Sequence, residues 1–172
     1  MLVLVPSAVG RVTIRTDLRP EDRAPLEQLL RSTGFFNPQE LQVALELVDE
    51  RLAHGEKSHY RFMVLEDEGT VVGYASWGPI PGTVASADLY WIAVHPERQG
   101  KGLGKALMDA AETWMAREGR IRVYLETSTR PQYAPTRAFY LRCGYEIAAE
   151  LEDFYAPGDG KAIFLKILPR LH

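Results

Sequence analysis

The tightest constraint in this chain is Gln99-Gly100-Lys101-Gly102-Leu103-Gly104, three glycines in five residues between two apolar runs. Ahead of it, Val84 to Val94 reads as a strand. Behind it, Leu103, Leu107, Ala110 and Trp114 recur at helical spacing and predict a helix over about Gly102 to Arg117. Each glycine costs a helix about 1 kcal/mol relative to alanine, so three at a helix entry need a reason. Anion binding supplies one. The first N–H groups of a helix have no internal partner and carry the positive end of its dipole. Glycines let the backbone before them close on a phosphate with no Cβ in the way. Lys101 and Lys105 add positive charge. Spacing narrows the anion: G-x-G-x-G late in the chain does not match the dinucleotide fingerprint. Lys105 is followed by Ala106, which also breaks the Walker pattern.

The flanking sequence reads as alternating elements. Residues 1–10 are expected to be a loose or accessory arm, and Val12 to Thr16 a short strand. Pro20-Glu21-Asp22 suits a helix start and Gly34 its stop. Asn37-Pro38-Gln39-Glu40 combines an N-cap, a proline at the first helical position and an acidic third residue. The stripe Leu41, Leu45, Val48, Leu52 follows, ending before Gly55. Tyr60–Glu66 and Val71–Trp77 flank Asp67-Glu68-Gly69-Thr70 as a hairpin. After the glycine turn and its helix come a strand over Ile121–Thr127, a short helix over Pro135–Arg142 and two strands, Tyr145–Phe154 and Lys161–Leu168. The order β-α-α-β-β-β-α-β-α-β-β implies a mixed α/β fold with an antiparallel meander and a βαβ-like unit. No repeat or linker interrupts it, so residues 1–172 read as one domain.

Bulk properties exclude several classes. With 46% apolar and 25% charged residues and a formal charge of -3, the chain shows no general attraction to nucleic acid or anionic membrane. No apolar run approaches the roughly 20 residues needed to span a bilayer, and the opening Met1–Pro6 is too short for a signal core. Cys143 is the single cysteine and cannot close an intrachain disulfide, so a cytoplasmic setting is expected. His54, His59, His95 and His172 lack metal-ligand spacing, and no metal site is expected.

The stretch Leu89-Tyr90-Trp91-Ile92-Ala93-Val94-His95-Pro96-Glu97-Arg98 running into the glycine turn resembles the signature of the GNAT superfamily of N-acetyltransferases, with Gln99, Gly102 and Gly104 at the diagnostic positions. Thr136-Arg137-Ala138-Phe139-Tyr140-Leu141-Arg142-Cys143-Gly144-Tyr145 resembles the second motif of that family. The resemblance runs from about Val12 to Leu168. It implies a mainly antiparallel central sheet flanked by helices, with two central strands splayed apart, and acetyl-CoA as cosubstrate. It further implies that Gln99, Gly100, Lys101, Gly102, Leu103, Gly104 and Lys105 hold the pyrophosphate of coenzyme A. Ile92, Ala93 and Val94 would bond the pantetheine arm through their main chain, and Phe139 and Tyr140 would lie beside the thioester. Many members have an asparagine where this chain has Tyr133; Thr136 or Arg137 is the candidate replacement.

Acyl transfer to an amine needs a base, because an alkylammonium with a pKa near ~10 cannot attack. It also needs donors for the oxyanion, here a backbone N–H near Val94, and an acid for the leaving thiolate. The resemblance assigns the acid to Tyr140. Asp88, six residues before Val94, is the candidate base; Glu126 or a water is its rival. Phe154 and Tyr155 either line the acceptor pocket or simply pack. The expected acceptor is a small-molecule amine or a protein amino group, and exposed strand edges in such folds allow a homodimer. The alternative reading is a non-catalytic acyl-CoA-binding sensor or interaction domain.

Overall fold

A computed structural model describes residues 12–170 and, for the backbone, residues 2–4. The chain forms two compact units, one built from the chain up to Gly78 with Trp91–Ala111, the other from Pro79–Tyr90 with the chain from Glu112 onward.

In the first unit, β1 (Leu2–Leu4) pairs antiparallel with β2 (Val12–Arg15), β2 with β3 (Arg61–Asp67), and β3 with β4 (Thr70–Pro79). The N-terminal arm is thus corrected in part: residues 2–4 are a paired strand, and the rest of the arm lies outside the described residues. Asp67↔Thr70 closes the β3–β4 hairpin through Glu68 (φ 50°) and Gly69 (φ 82°). Positive φ at both central residues is the turn whose twist matches paired strands.

Helices α1 (Arg23–Thr33) and α2 (Pro38–His54) bury Leu26, Leu29, Leu30 and Leu41, Ala44, Leu45, Val48. The cap of α2 forms as its spacing predicts. Asn37 Oδ1 accepts from Gln39 N at 2.9 Å and Glu40 N at 2.8 Å, and Glu40 accepts from Asn37 N at 2.8 Å; such a cap contributes about 1 kcal/mol. The start of α1 differs from expectation. Pro20–Asp22 form a 3₁₀ turn ahead of α1, and Asp22 is buried. It accepts from Arg19 N at 2.7 Å and from the buried Arg15, whose Nε also donates to Glu66 at 2.9 Å.

Strand β5 (Ser86–Val94) and helix α3 (Leu103–Arg117) run through both units. In the second unit β6 (Arg122–Ser128) pairs parallel with β5 through Ser86↔Arg122, Ala87↔Val123 and Asp88↔Tyr124 only. On its other side β6 pairs antiparallel with β8 (Asp159–Ile167) along its whole length, and β8 pairs with β7 (Glu146–Ala156). The parallel register is short, covering three residue pairs. Helix α4 (Ala134–Arg142) brings Tyr140 against Phe164, with ring centroids 5.5 Å apart. Below α4 the buried Glu112 takes the ammonium of Lys166 at 2.6 Å, so its charge is paired inside the unit. Among the described residues no helix is long and apolar enough to cross a membrane.

Candidate active site

The glycine turn is assembled in the first unit by backbone bonds and one amide side chain. A 3₁₀ turn over Pro96–Arg98 follows β5, with His95 Nδ1 accepting from Glu97 N at 3.3 Å. His95 N donates to Val72 O at 2.8 Å, which fixes the end of β5. Gln99 Nε2 donates to Val94 O at 2.9 Å. Its side chain therefore ties the turn to the strand, a positioning role that motif matching alone does not show.

Gly100 (φ 73°) and Gly102 (φ 78°) lie in the left-handed region, where an L side chain is strained. A Cβ built on either would meet nothing within 4 Å, so their outer faces look into open space. Helix α3 starts at Leu103, one residue after the expected Gly102, and Ala106 N donates to Gly102 O at 3.0 Å. The amides before Ala106 lie outside the helical ladder, at the positive end of the dipole. This conformation fits a diphosphate: open space, backbone donors and no Cβ. The lysines contribute less than their number implies. Lys105 Nζ pairs with Asp109 at 2.6 Å, and Lys101 Nζ donates to Glu97 O at 3.4 Å.

Behind the turn, Ala93 and Val94 are buried and Ile92 half-buried. Gly73 of β4 passes so close that a Cβ there would lie 2.9 Å from Ala93 O. The absence of a side chain at Gly73 lets Ala93 keep its place. On α3 the buried face is Leu103, Leu107, Met108, Ala111, Glu112 and Met115; the expected Ala110 and Trp114 are half-buried at its margin.

The titratable residues gather in the second unit. Tyr140 is buried among Phe139, Tyr145 and Phe164. Burial pushes its phenol above the ordinary value and Cys143 nearby adds to the effect; a phenol is protonated at neutral pH even without that shift. An acid for a thiolate must start in that form. Asp88 is half-buried; desolvation raises its pKa, the negative charge of Glu126 raises it further, and Lys161 pulls it down. Glu126, the rival base, is paired with Lys161 Nζ at 2.8 Å. Cys143 is buried and in no disulfide, and its backbone carbonyl accepts from Lys166 at 2.7 Å, which fits a packing role. Arg137 Nη1 donates to Ser128 O at 2.8 Å and Arg130 O at 3.0 Å, so the guanidinium braces the loop after β6. Among the described residues no group of His, Cys, Asp and Glu could hold a metal ion.

The model of the acetyltransferase (GNAT) family matches residues 24–145. The chain belongs to that family. That family is one of acetyltransferases, and the likeness to one of its solved members extends over nearly all of both chains. A crystal structure described as a GNAT-family acetyltransferase from Desulfovibrio desulfuricans is 42% identical, covers 92% of this chain and 99% of its own, and superposes with a TM-score of 0.90. That likeness bears out the mixed, mainly antiparallel sheet flanked by helices. The PaiA N-acetyltransferase of Thermoplasma acidophilum, solved with coenzyme A, shares the fold at 21% identity and a TM-score of 0.70, over 91% of this chain and 98% of that one. The mycothiol acetyltransferase of Streptomyces griseus is 30% identical over 96 residues, 56% of this chain. The chain spans only 31% of that curated relative's length.

The sequence reading missed the Gln99 clamp and the close passage at Gly73 in the first unit, and the pairing of Lys161 with Glu126 in the second. Gly73 carries a signal, a glycine inside an apolar strand. The other two depend on partners that no local pattern specifies.

Proposed function

We propose that this chain is an N-acetyltransferase that moves the acetyl group of acetyl-CoA onto a primary amine by direct attack, working as one domain. The observation that carries the reading is the Gly100–Gly102 turn, with left-handed glycines open outward ahead of α3. The family match runs from the first unit into the second, which supports a single working domain.

The amides of Gly100 to Lys105 hold the pyrophosphate, and the main chain of Ile92 to Val94 holds the pantetheine arm. Asp88, directly or through a water, takes the proton from the acceptor ammonium. Its raised pKa supports that role, since a carboxylate nearer to neutrality is a stronger base. The amine nitrogen attacks the thioester carbon, and a backbone N–H near Val94 stabilises the oxyanion. Tyr140, protonated as a phenol is at neutral pH, gives its proton to the departing thiolate. Phe139 packs beside that phenol, 5.7 Å between centroids, and keeps its surroundings apolar.

Coenzyme A release with a panel of amines tests the proposal. The expected result is turnover above the acetyl-CoA hydrolysis blank for at least one amine. Tight acetyl-CoA binding with release at the blank rate for every amine would instead identify an acyl-CoA sensor.

A further inference from the structure

The β7–β8 hairpin of the second unit contains a large irregularity. Leu151 pairs with Lys161 and Ala156 with Asp159, so Glu152, Asp153, Phe154 and Tyr155 stand opposite Gly160 alone. Asp153 takes a positive φ of 52°, strained for a non-glycine residue, and its Oδ1 accepts from Gly158 N at 2.7 Å. Gly160 N donates to Thr129 Oγ1 at 3.0 Å, and a Cβ at Gly160 would lie 2.7 Å from Leu151 O. Several specific contacts therefore hold a strained bulge, and bulges of this kind re-aim side chains. What this one displays is a pair of aromatic rings. Phe154 and Tyr155 are 51% and 48% exposed and meet edge to face at 5.0 Å.

An ammonium already sits on them. Lys161 Nζ lies 3.7 Å from the Phe154 centroid, 5.5 Å from that of Tyr155 and 2.8 Å from Glu126 Oε2. Two ring faces and a carboxylate are the components that recognise an alkylammonium. Strand register extends the arrangement. Asp88 pairs with Tyr124, two residues before Glu126, and Glu126 pairs with Ile163, two residues after Lys161. Alternation places Asp88, Glu126 and Lys161 on one face of the sheet. Around Lys161 this face therefore offers two carboxylates for one ammonium, with Arg122 four residues from Glu126 along β6 and Asp159 paired with Arg130.

We propose that Glu126, Phe154 and Tyr155 form a recognition site for an alkylammonium group, and that Lys161 fills this site until such a ligand displaces it. Naming that ligand the acetyl acceptor rests on the acetyltransferase reading; the cation site itself does not. The shared chemistry is an ammonium on an alkyl chain, carried by a small diamine or by a lysine side chain. Lys161 is a tethered competitor, so its removal tightens binding, whereas loss of the Phe154 ring weakens it.

The test titrates 1,4-diaminobutane, and in a parallel arm N-acetyl-lysine amide, into the full chain without acetyl-CoA, following the aromatic ring resonances by NMR at constant ionic strength. The expected result is saturable binding of at least one probe. K161M should bind it roughly fivefold tighter, as expected for a freed cation–aromatic contact. K161R should match wild type, and F154L should bind several-fold weaker. Thermal melts confirm that each variant is folded, and F154L, at an exposed position, keeps the test open if K161M unfolds. A K161M protein that binds no tighter than wild type, or an F154L protein with wild-type affinity, overturns the proposal. Because acetyl-CoA is absent, these outcomes are independent of turnover. Ammonium binding as expected with no coenzyme A release from any amine would defeat only the acetyltransferase reading.

Discussion

Replacing Gly102 by alanine and by aspartate separates what the backbone needs from what the ligand needs. Gly102 has φ +78°, so either residue enters the left-handed region, at a cost of about 1–2 kcal/mol. A Cβ there meets nothing within 4 Å, so no packing penalty adds to the strain. In a domain of this size 1 kcal/mol shifts Tm by about 2–4 °C. Both variants are therefore expected to melt about 2–8 °C below wild type and to remain folded at 25 °C. The aspartate alone adds a charge. Position 102 is exposed, so its surroundings are close to water. At about 5 Å, a carboxylate facing two phosphate charges then costs about 2 kcal/mol, and more where bound coenzyme excludes water. That corresponds to at least about thirtyfold in Kd between the aspartate and alanine variants. Calorimetric titration of coenzyme A into all three proteins, at 0.1 M and at 1 M salt, measures the difference. It should shrink at high salt, where the screening length falls from about 10 Å to about 3 Å. An aspartate variant within twofold of the alanine variant at 0.1 M salt refutes the phosphate assignment.

Tyr140→Phe is expected to lower kcat about 10²-fold through loss of a general acid, with acetyl-CoA affinity close to wild type; steady-state rates beside a binding titration check both, and an unchanged kcat removes Tyr140 from the mechanism. Asp88 has a raised pKa, so folding disfavours its ionised form, and the stability it contributes is lost as pH rises through that pKa. Asp88→Asn should therefore melt higher than wild type at neutral pH, show no gain below the ordinary carboxyl pKa of about 3.9, and lose activity; a melting point equal to or below that of wild type at neutral pH contradicts the burial argument.

How far these features are legible in the sequence depends on how local their causes are. The capping box at Asn37 and Glu40 forms from residues three apart, and the hairpin at Glu68-Gly69 from two adjacent residues. Both were readable because their geometry is set within a few bonds. Strand β1 was not: Leu2–Leu4 is too short to show alternation, and its order comes from pairing with β2. Asp22 looked like a helix-start acid, yet Arg15, seven residues earlier, draws it into the interior. The site divides in the same way. The glycine turn and the Phe139-Tyr140 motif are short local patterns, whereas the clamp from Gln99 to Val94 depends on the 3₁₀ turn between them.

The sequence by itself determined the order of elements from β2 onward, the glycine turn at the start of α3 and the family to which those motifs point, because each is written in adjacent residues and in the conformations open to glycine and proline. Only the tertiary structure gives the two carboxylates different surroundings. Asp88 and Glu126 have nearly the same intrinsic chemistry, and no local pattern distinguishes them. Strand register sets both on one sheet face with Lys161, and the lysine pairs with Glu126 while desolvation raises the pKa of Asp88. Proton affinity depends on charges and solvent brought close by folding, whereas the conformation of the glycine turn follows from bonds already present in the chain.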